Sequence, residues 1–257
     1  MESVLDRVIK QNTENVNLLK TKDYNIFSVL QIQSKEVLIC RMIADLLNPR
    51  GQHGAGAEYL KIFLRDCLGM EKMDTKLADQ AIVTAEYAID DERRIDIVIE
   101  IGSYFLPIEV KIYAADQKSQ CFDYYQYAKR RDAQAKVYYL TLDGHRPGKD
   151  STSSGSQSVP EEDIVCLSFR EHILNWLKAC KSCENTGMVP ILEQFIRNIE
   201  QISGYTSERV RNMVIDELLT SGDSLRAGMQ IADSINAAKA KLIYLVFEEL
   251  EKQLAGM

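Results

Sequence analysis

Residues 94–112 read Arg94-Ile-Asp-Ile-Val-Ile-Glu100, then Ile101, a Gly102-Ser103 turn, and Leu106-Pro-Ile-Glu-Val-Lys-Ile112 after Tyr104 and Phe105. Apolar and polar residues alternate on both arms, which predicts a β-hairpin. Ile95, Ile97 and Ile99 are expected on one face of the first arm, with Asp96 and Glu100 on the other. On the second arm Ile108, Val110 and Ile112 point one way and Glu109 and Lys111 the other. Side chains two apart on a strand share a face, so Glu109 and Lys111 are neighbours by geometry. Asp96 meets them from the adjoining arm.

Two carboxylates beside an ammonium suit a hard divalent cation. Mg²⁺ takes oxygen ligands, commonly one or two carboxylates with water and substrate phosphate oxygens. A lysine next to it is a point charge that holds a water or offsets charge growing on phosphate. The competing reading is a solvated polar face with a surface ion pair, common on antiparallel hairpins. The flanking sequence bears on the choice.

Asp96 followed after a dozen residues by Ile-Glu109-Val-Lys111 resembles the core of the PD-(D/E)XK nuclease superfamily, which has the restriction-endonuclease-like fold. Lys35-Glu36, a helical run to Leu46-Leu-Asn-Pro49 and His53-Gly-Ala-Gly56 resemble the N-terminal region of one bacterial branch. Gln120 and Tyr124, four apart after the Glu-x-Lys strand, resemble its fourth motif, and Leu140-Thr-Leu-Asp-Gly144 and Leu167-Ser-Phe169 also fit. The resemblance runs over roughly residues 20 to 180. It implies an α/β (α+β) fold with a central mixed sheet of about five strands flanked by helices. It also implies a Mg²⁺-dependent nuclease, with Mn²⁺ as a substitute, acting on nucleic acid and on DNA before RNA, in bacterial defence or DNA processing. By the same resemblance Asp96 and Glu109 bind metal, helped by the Val110 carbonyl and by Glu36 as an accessory ligand. Lys111 and Gln120 join them in catalysis, while Tyr124 and His53 touch substrate. Arg94 and Lys118 are candidates for substrate contact as local basic residues, with salt bridging to Asp90-Asp91-Glu92 an equal alternative for Arg94.

Several of these residues keep an ordinary structural alternative. Glu36 is also a first-turn acid favoured by the helix dipole. His53 equally serves to cap a helix start, and Tyr124 to pack a helix. Gln120 is the stronger site candidate of the helical pair, since a buried amide needs a partner.

The chain has 257 residues, enough for one large core with an appendage. Its 46% hydrophobic and 27% charged content place it among globular proteins. No apolar run approaches the ~18–20 residues of a membrane span, and the N-terminus has no basic-then-apolar leader. A cytoplasmic protein is expected. Six cysteines lack framework spacing, so reduced thiols are the simplest account. Cys180-x-x-Cys183 has no second pair at zinc spacing.

A net charge of −7 argues against a protein that coats nucleic acid non-specifically. A local basic surface is available from Arg93, Arg94, Lys111 and Lys118, then Lys129-Arg130-Arg131, Arg146 and Lys149. Ser34 is expected to cap the helix beginning at Glu36. Residues 143–162, rich in serine, read as a mobile loop. A nuclease-like domain is expected over 1–185, including a polar helix over 1–19, and an α-helical extension over 186–257. That extension must bury its apolar stripe against the core, a second copy or another protein. An alternative function is a nuclease fold used for binding or assembly without cleavage.

Overall fold

The computed structural model describes residues 24–71, 74–91, 93–183, 187–204 and 208–255. The helix expected over residues 1–19 lies outside the described residues. The chain divides into two compact units, one spanning residues 24–205 and one that includes 206–257.

Helices of the first unit are α1 (Ile26–Val29), α2 (Glu36–Leu47), α3 (Glu58–Asp66), α4 (Thr75–Ala78), α5 (Gln120–Arg131), α6 (Lys149–Thr152), α7 (Leu174–Cys180) and α8 (Val189–Ile202). Its strands are β1 (Ile82–Ala88), β2 (Arg94–Ile101), β3 (Tyr104–Lys111), β4 (Val137–Thr141), β5 (Ser153–Ser154), β6 (Gln157–Ser158) and β7 (Ile164–Ser168). The main sheet runs β1-β2-β3-β4-β7. Its first two junctions are antiparallel and its last two parallel. This is the mixed five-stranded α/β sheet that the alternation and the resemblance predict.

Local chemistry explains the order. Gly102 turns the β2–β3 hairpin at φ 57°, a conformation strained for residues with a Cβ. Parallel strands need a crossover, and α5 supplies it between β3 and β4. Ile97, Ile99, Ile101, Ile108 and Val110 pack on one face of the sheet into the core that also holds Ile39, Ile43, Trp176 and Phe195. Val98, Phe105 and Tyr139 pack on the other face against Cys121, Tyr124 and Ala128 of α5. With both faces covered, β3 is buried at every position except Tyr104.

Three expectations change here. Ile95 does not share a face with Ile97 and Ile99; it belongs to the α5-side core. The β2–β3 ladder ends at the Ile97–Ile108 pair, and β2 turns aside at Asp96. Opposite that turn, Glu86 of β1 sits at φ 54°, held by Arg41 at 2.6 Å. The serine-rich segment is no bare loop either. It folds into α6 and the β5–β6 hairpin, with Ser151 fully buried and Val159 packed against Phe122 and Ile164. Its polar side chains find main-chain partners, which composition alone does not reveal. Helix α2 begins with Lys35 at the cap position and no side-chain capping bond, so Ser34 does not play that part.

The second unit contains α9 (Glu208–Leu219) and α10 (Gly222–Ala255). Gly228 of α10 faces the end of the Leu218 side chain on α9. Helix α8, grouped by sequence with these helices, places Leu192, Phe195 and Ile199 in the main core, one of the placements expected for the extension.

Candidate active site

The site arises from the parting of β2 and β3. Beyond Ile108, the N–H groups of β3 lose their partners on β2, and buried main-chain donors must be satisfied. Carboxylates take them. Val110 N–H donates to Asp96 Oδ2 at 2.8 Å, and Ile112 N–H donates to Glu36 Oε2 at 2.8 Å. The same defect in the ladder therefore draws in one acid from β2 and another from the start of α2. Glu109 and Lys111 point to this place from β3 and form a 2.6 Å ion pair. Asp96, Glu109, Lys111 and Glu36 are thus brought together.

Burial governs the electrostatics. Glu109 is 1% exposed and Lys111 7%. Burial, then the charge of Asp96, pushes the Glu109 carboxyl well above the usual range, against the pull of Lys111. Asp96 is raised as well, chiefly by burial; its Val110 bond and Lys111 oppose the shift. For Lys111 burial favours loss of the proton, but Glu109, Asp96 and Glu36 outweigh it and the ammonium is held. Three carboxyl groups around one ammonium leave the cluster with surplus negative charge when all are ionised. One Glu109 oxygen, Oε2, is buried with no protein donor aimed at it, and the Glu109 and Asp96 carboxyls lie within hydrogen-bonding reach of each other. Such an orphan in native structure calls for a proton or a cation.

That donor set, carboxylate oxygens from Asp96 and Glu109, fits a hard divalent ion. Among the described residues, no group of three or more His, Cys, Asp or Glu side chains is arranged to hold a metal. The fit therefore rests on two carboxylates, with Glu36 engaged by Ile112.

Gln120 and Tyr124 lie beside this cluster in supporting positions. Gln120 Nε2 donates to the Tyr124 hydroxyl at 3.0 Å, and that hydroxyl donates to the Arg94 carbonyl at 2.5 Å. The pair fastens α5 to the strand carrying Asp96. Burial, then Glu109, raises the Tyr124 phenol, so it stays protonated and keeps donating. Gln120 thereby acts on a tyrosine, as the need of a buried amide for a partner anticipates.

His53 is set apart from the cluster. It lies in the loop after the C-terminal end of the 12-residue α2, while Glu36 opens that helix, whose run from Glu36 to Leu47 spans about 16 Å at 1.5 Å per residue. Its Nδ1 accepts from Ala55 N–H at 3.0 Å, so Nε2 carries the proton and donates to the Asn48 carbonyl at 2.9 Å. Its ring stacks on Tyr59 with centroids 4.8 Å apart. A Cβ on Gly51 would collide with the Asp45 carbonyl and the imidazole, which explains the glycine there. The histidine-glycine motif packs a loop.

Part of the expected basic surface is engaged in ion pairs with acids, while Arg94, Lys118, Arg130, Arg146 and Lys149 are exposed. Arg93 binds Asp123, Gln117 Oε1 and the Lys118 carbonyl. Lys129 pairs with Asp163, and Arg131 with Glu100.

Sequence reasoning missed a brace behind α5. Asp116 accepts from the Tyr139 hydroxyl at 2.6 Å and from Gly148 N–H at 2.7 Å. Ser119 N–H donates to the Asp150 carbonyl at 2.7 Å, its hydroxyl donates to the Ser153 carbonyl, and Cys121 N–H donates to Ser151 Oγ at 3.3 Å. The serine-rich segment thus holds the first turn of the helix that carries Gln120 and Tyr124. No periodicity marks it; a left-handed Ser119 at φ 58° is the local sign.

With this geometry established, comparison with known families is decisive at one level. The family model of the PD-(D/E)XK nuclease superfamily matches residues 24–198, and the chain belongs to that superfamily. No curated protein and no solved structure matches it.

Proposed function

We propose that the protein is a metal-dependent nuclease that hydrolyses phosphodiester bonds in DNA. The observation carrying this reading is the buried Asp96–Glu109–Lys111 cluster, with a Glu109 Oε2 at which no protein donor is aimed. A scaffold gains nothing from burying these groups together, since uncompensated buried charge is costly. Asp96 and Glu109 would hold Mg²⁺, or Mn²⁺ in its place, with the Val110 carbonyl. Bound there, such an ion supplies Lewis acidity toward a phosphoryl oxygen and a water of lowered pKa. Lys111 presents a fixed ammonium to the charge that develops on phosphate, a contribution typically worth ~10²–10³ in rate. Glu36 orients water at the rim, while Gln120 and Tyr124 keep the Asp96 strand in place. Arg94 and Lys118, both exposed, offer contacts to the phosphate backbone.

Six cysteines free of disulfides support a reducing, cytoplasmic setting. No described helix is long and apolar enough to cross a membrane. Exposed Leu225, Met229 and Ile235 on α10 support a protein contact, or self-association, through the second unit. A role in bacterial defence or DNA processing is part of this proposal and has only the resemblance behind it.

The test is calorimetric Mg²⁺ and Mn²⁺ binding to the wild type and Asp96→Ala, run beside cleavage assays on DNA and RNA. Metal binding lost in the variant, with metal-dependent cleavage by the wild type, is the expected result. No metal binding by the wild type would refute the nuclease and favour an assembly role.

A further inference from the structure

The turn that opens the site is marked on two strands at once. Residues two apart on a strand share a face. Yet Ala85 of β1 packs on the core that holds Ile97, while Tyr87 packs on the α5-side core with Ile95. The Ala85–Ile97 and Tyr87–Ile95 pairs flank this reversal, so Glu86 and Asp96 stand opposite each other where the β1–β2 ribbon turns over. Glu86 makes the turn at φ 54°, and among the described residues it is the only non-glycine with positive φ inside a strand. That conformation is costly for a residue with a Cβ and persists only where its surroundings hold it.

Helix α2 supplies the hold. Arg41 grips one Glu86 oxygen, with Nε at 3.1 Å and Nη2 at 2.6 Å. Earlier on the same helix, Glu36 takes the Ile112 N–H beyond β3. The helix is therefore tied to β1 on one side and to the end of β3 on the other, with β2 and its Asp96 between them. Because β1 is an edge strand of the main sheet, Glu86 can relax to the extended φ that its side chain prefers once Arg41 lets go. The ladder would then run on through Asp96 and draw its carboxylate from the Val110 N–H. We propose that Arg41 and Glu86 are positioning residues for the metal site. Their pair holds the ribbon turned over and so aims Asp96 at Val110 and Glu109. The metal in this proposal rests on the nuclease reading, whereas the aim of Asp96 is a property of the metal-free chain.

The test is a calorimetric Mg²⁺ titration of the full chain, of Arg41→Gln and of Arg41→Gln combined with Glu86→Gly. Arg41→Gln should weaken Mg²⁺ binding by about tenfold or more, as loss of a group that orients a ligand does. Coulomb attraction alone gives the opposite sign, since losing a cation favours a divalent ion. Adding Glu86→Gly should restore the affinity, because glycine keeps a positive φ without a partner to hold it. In the metal-free protein, the Val110 amide should exchange with solvent about tenfold faster in Arg41→Gln and recover in the double variant. The Arg41 and Glu86 side chains are 58% and 34% exposed, and such a pair contributes little to stability. Thermal midpoints of both variants should therefore match the wild type. Unchanged or tighter Mg²⁺ binding by Arg41→Gln, or a double variant as weak as the single one, overturns the proposal. A wild type that binds no Mg²⁺ refutes the nuclease reading, and Val110 exchange then decides the positioning role by itself: faster exchange in Arg41→Gln sustains it, and unaltered exchange overturns it.

Discussion

The two ends of α2 carry two motif residues with opposite fates. At the first residue, Glu36 reaches across to the Ile112 N–H and stands beside Asp96, Glu109 and Lys111. Beyond the last, His53 is 3% exposed, with both ring nitrogens bonded and its face on Tyr59. One end leaves charge in excess of what its partners satisfy; the other satisfies everything. Unsatisfied buried charge is where chemistry is available, and a histidine with both nitrogens engaged has none to offer. A motif match does not distinguish the two, but the balance of partners does.

The sharpest way to break this contrast is to remove the ammonium. Lys111→Ala should lower cleavage by about 10²–10³ while metal binding and the fold persist; an unimpaired single-turnover rate would sink the assignment. At the other end, His53→Ala should leave metal affinity untouched and destabilise the protein by about 3 kcal/mol. It unpairs the Asn48 carbonyl and the Ala55 N–H and removes a ring contact. Denaturant unfolding measures this, and a loss of cleavage at full stability would return His53 to the site.

Acidity sharpens the comparison further. Glu109 and Asp96 are raised in the folded state, so the metal-free native protein holds protons that the unfolded chain has released. Their contribution to stability is greatest at low pH and falls as pH rises above the ordinary carboxylate range. A cation must displace those protons, so Mg²⁺ affinity should weaken as pH drops, by at most about tenfold per unit for one displaced proton. Calorimetry in buffers of different ionisation enthalpy should register proton release, and pH-independent affinity between 5 and 8 would contradict the shift. Tyr124→Phe should cost about 1–3 kcal/mol by leaving the Arg94 carbonyl and Gln120 amide short of a partner. Ser151→Ala, which removes the acceptor for Cys121 N–H, should cost about 1 kcal/mol, with Ser151→Thr recovering part of it. Thermal unfolding separates these two small effects.

Alternation of apolar residues at 94–112 was enough to predict the hairpin, and Gly102 its turn. A strand has one fixed repeat, and burial rewards a sequence that follows it. The pairing of Glu109 with Lys111 was legible for the same reason. Tertiary structure decided the rest. The turning aside of β2 at Asp96 reverses Ile95 and frees the Val110 and Ile112 N–H groups, and a periodic pattern contains no sign of where a ladder ends. Whether His53 faces substrate or a loop depends on Asn48, Ala55 and Tyr59 meeting around it. Ser151 and Asp116 became supports of α5 because a buried donor takes whichever acceptor the fold brings near. Residue type and spacing determined which chemistry was available; the three-dimensional count of partners determined where it was left unspent.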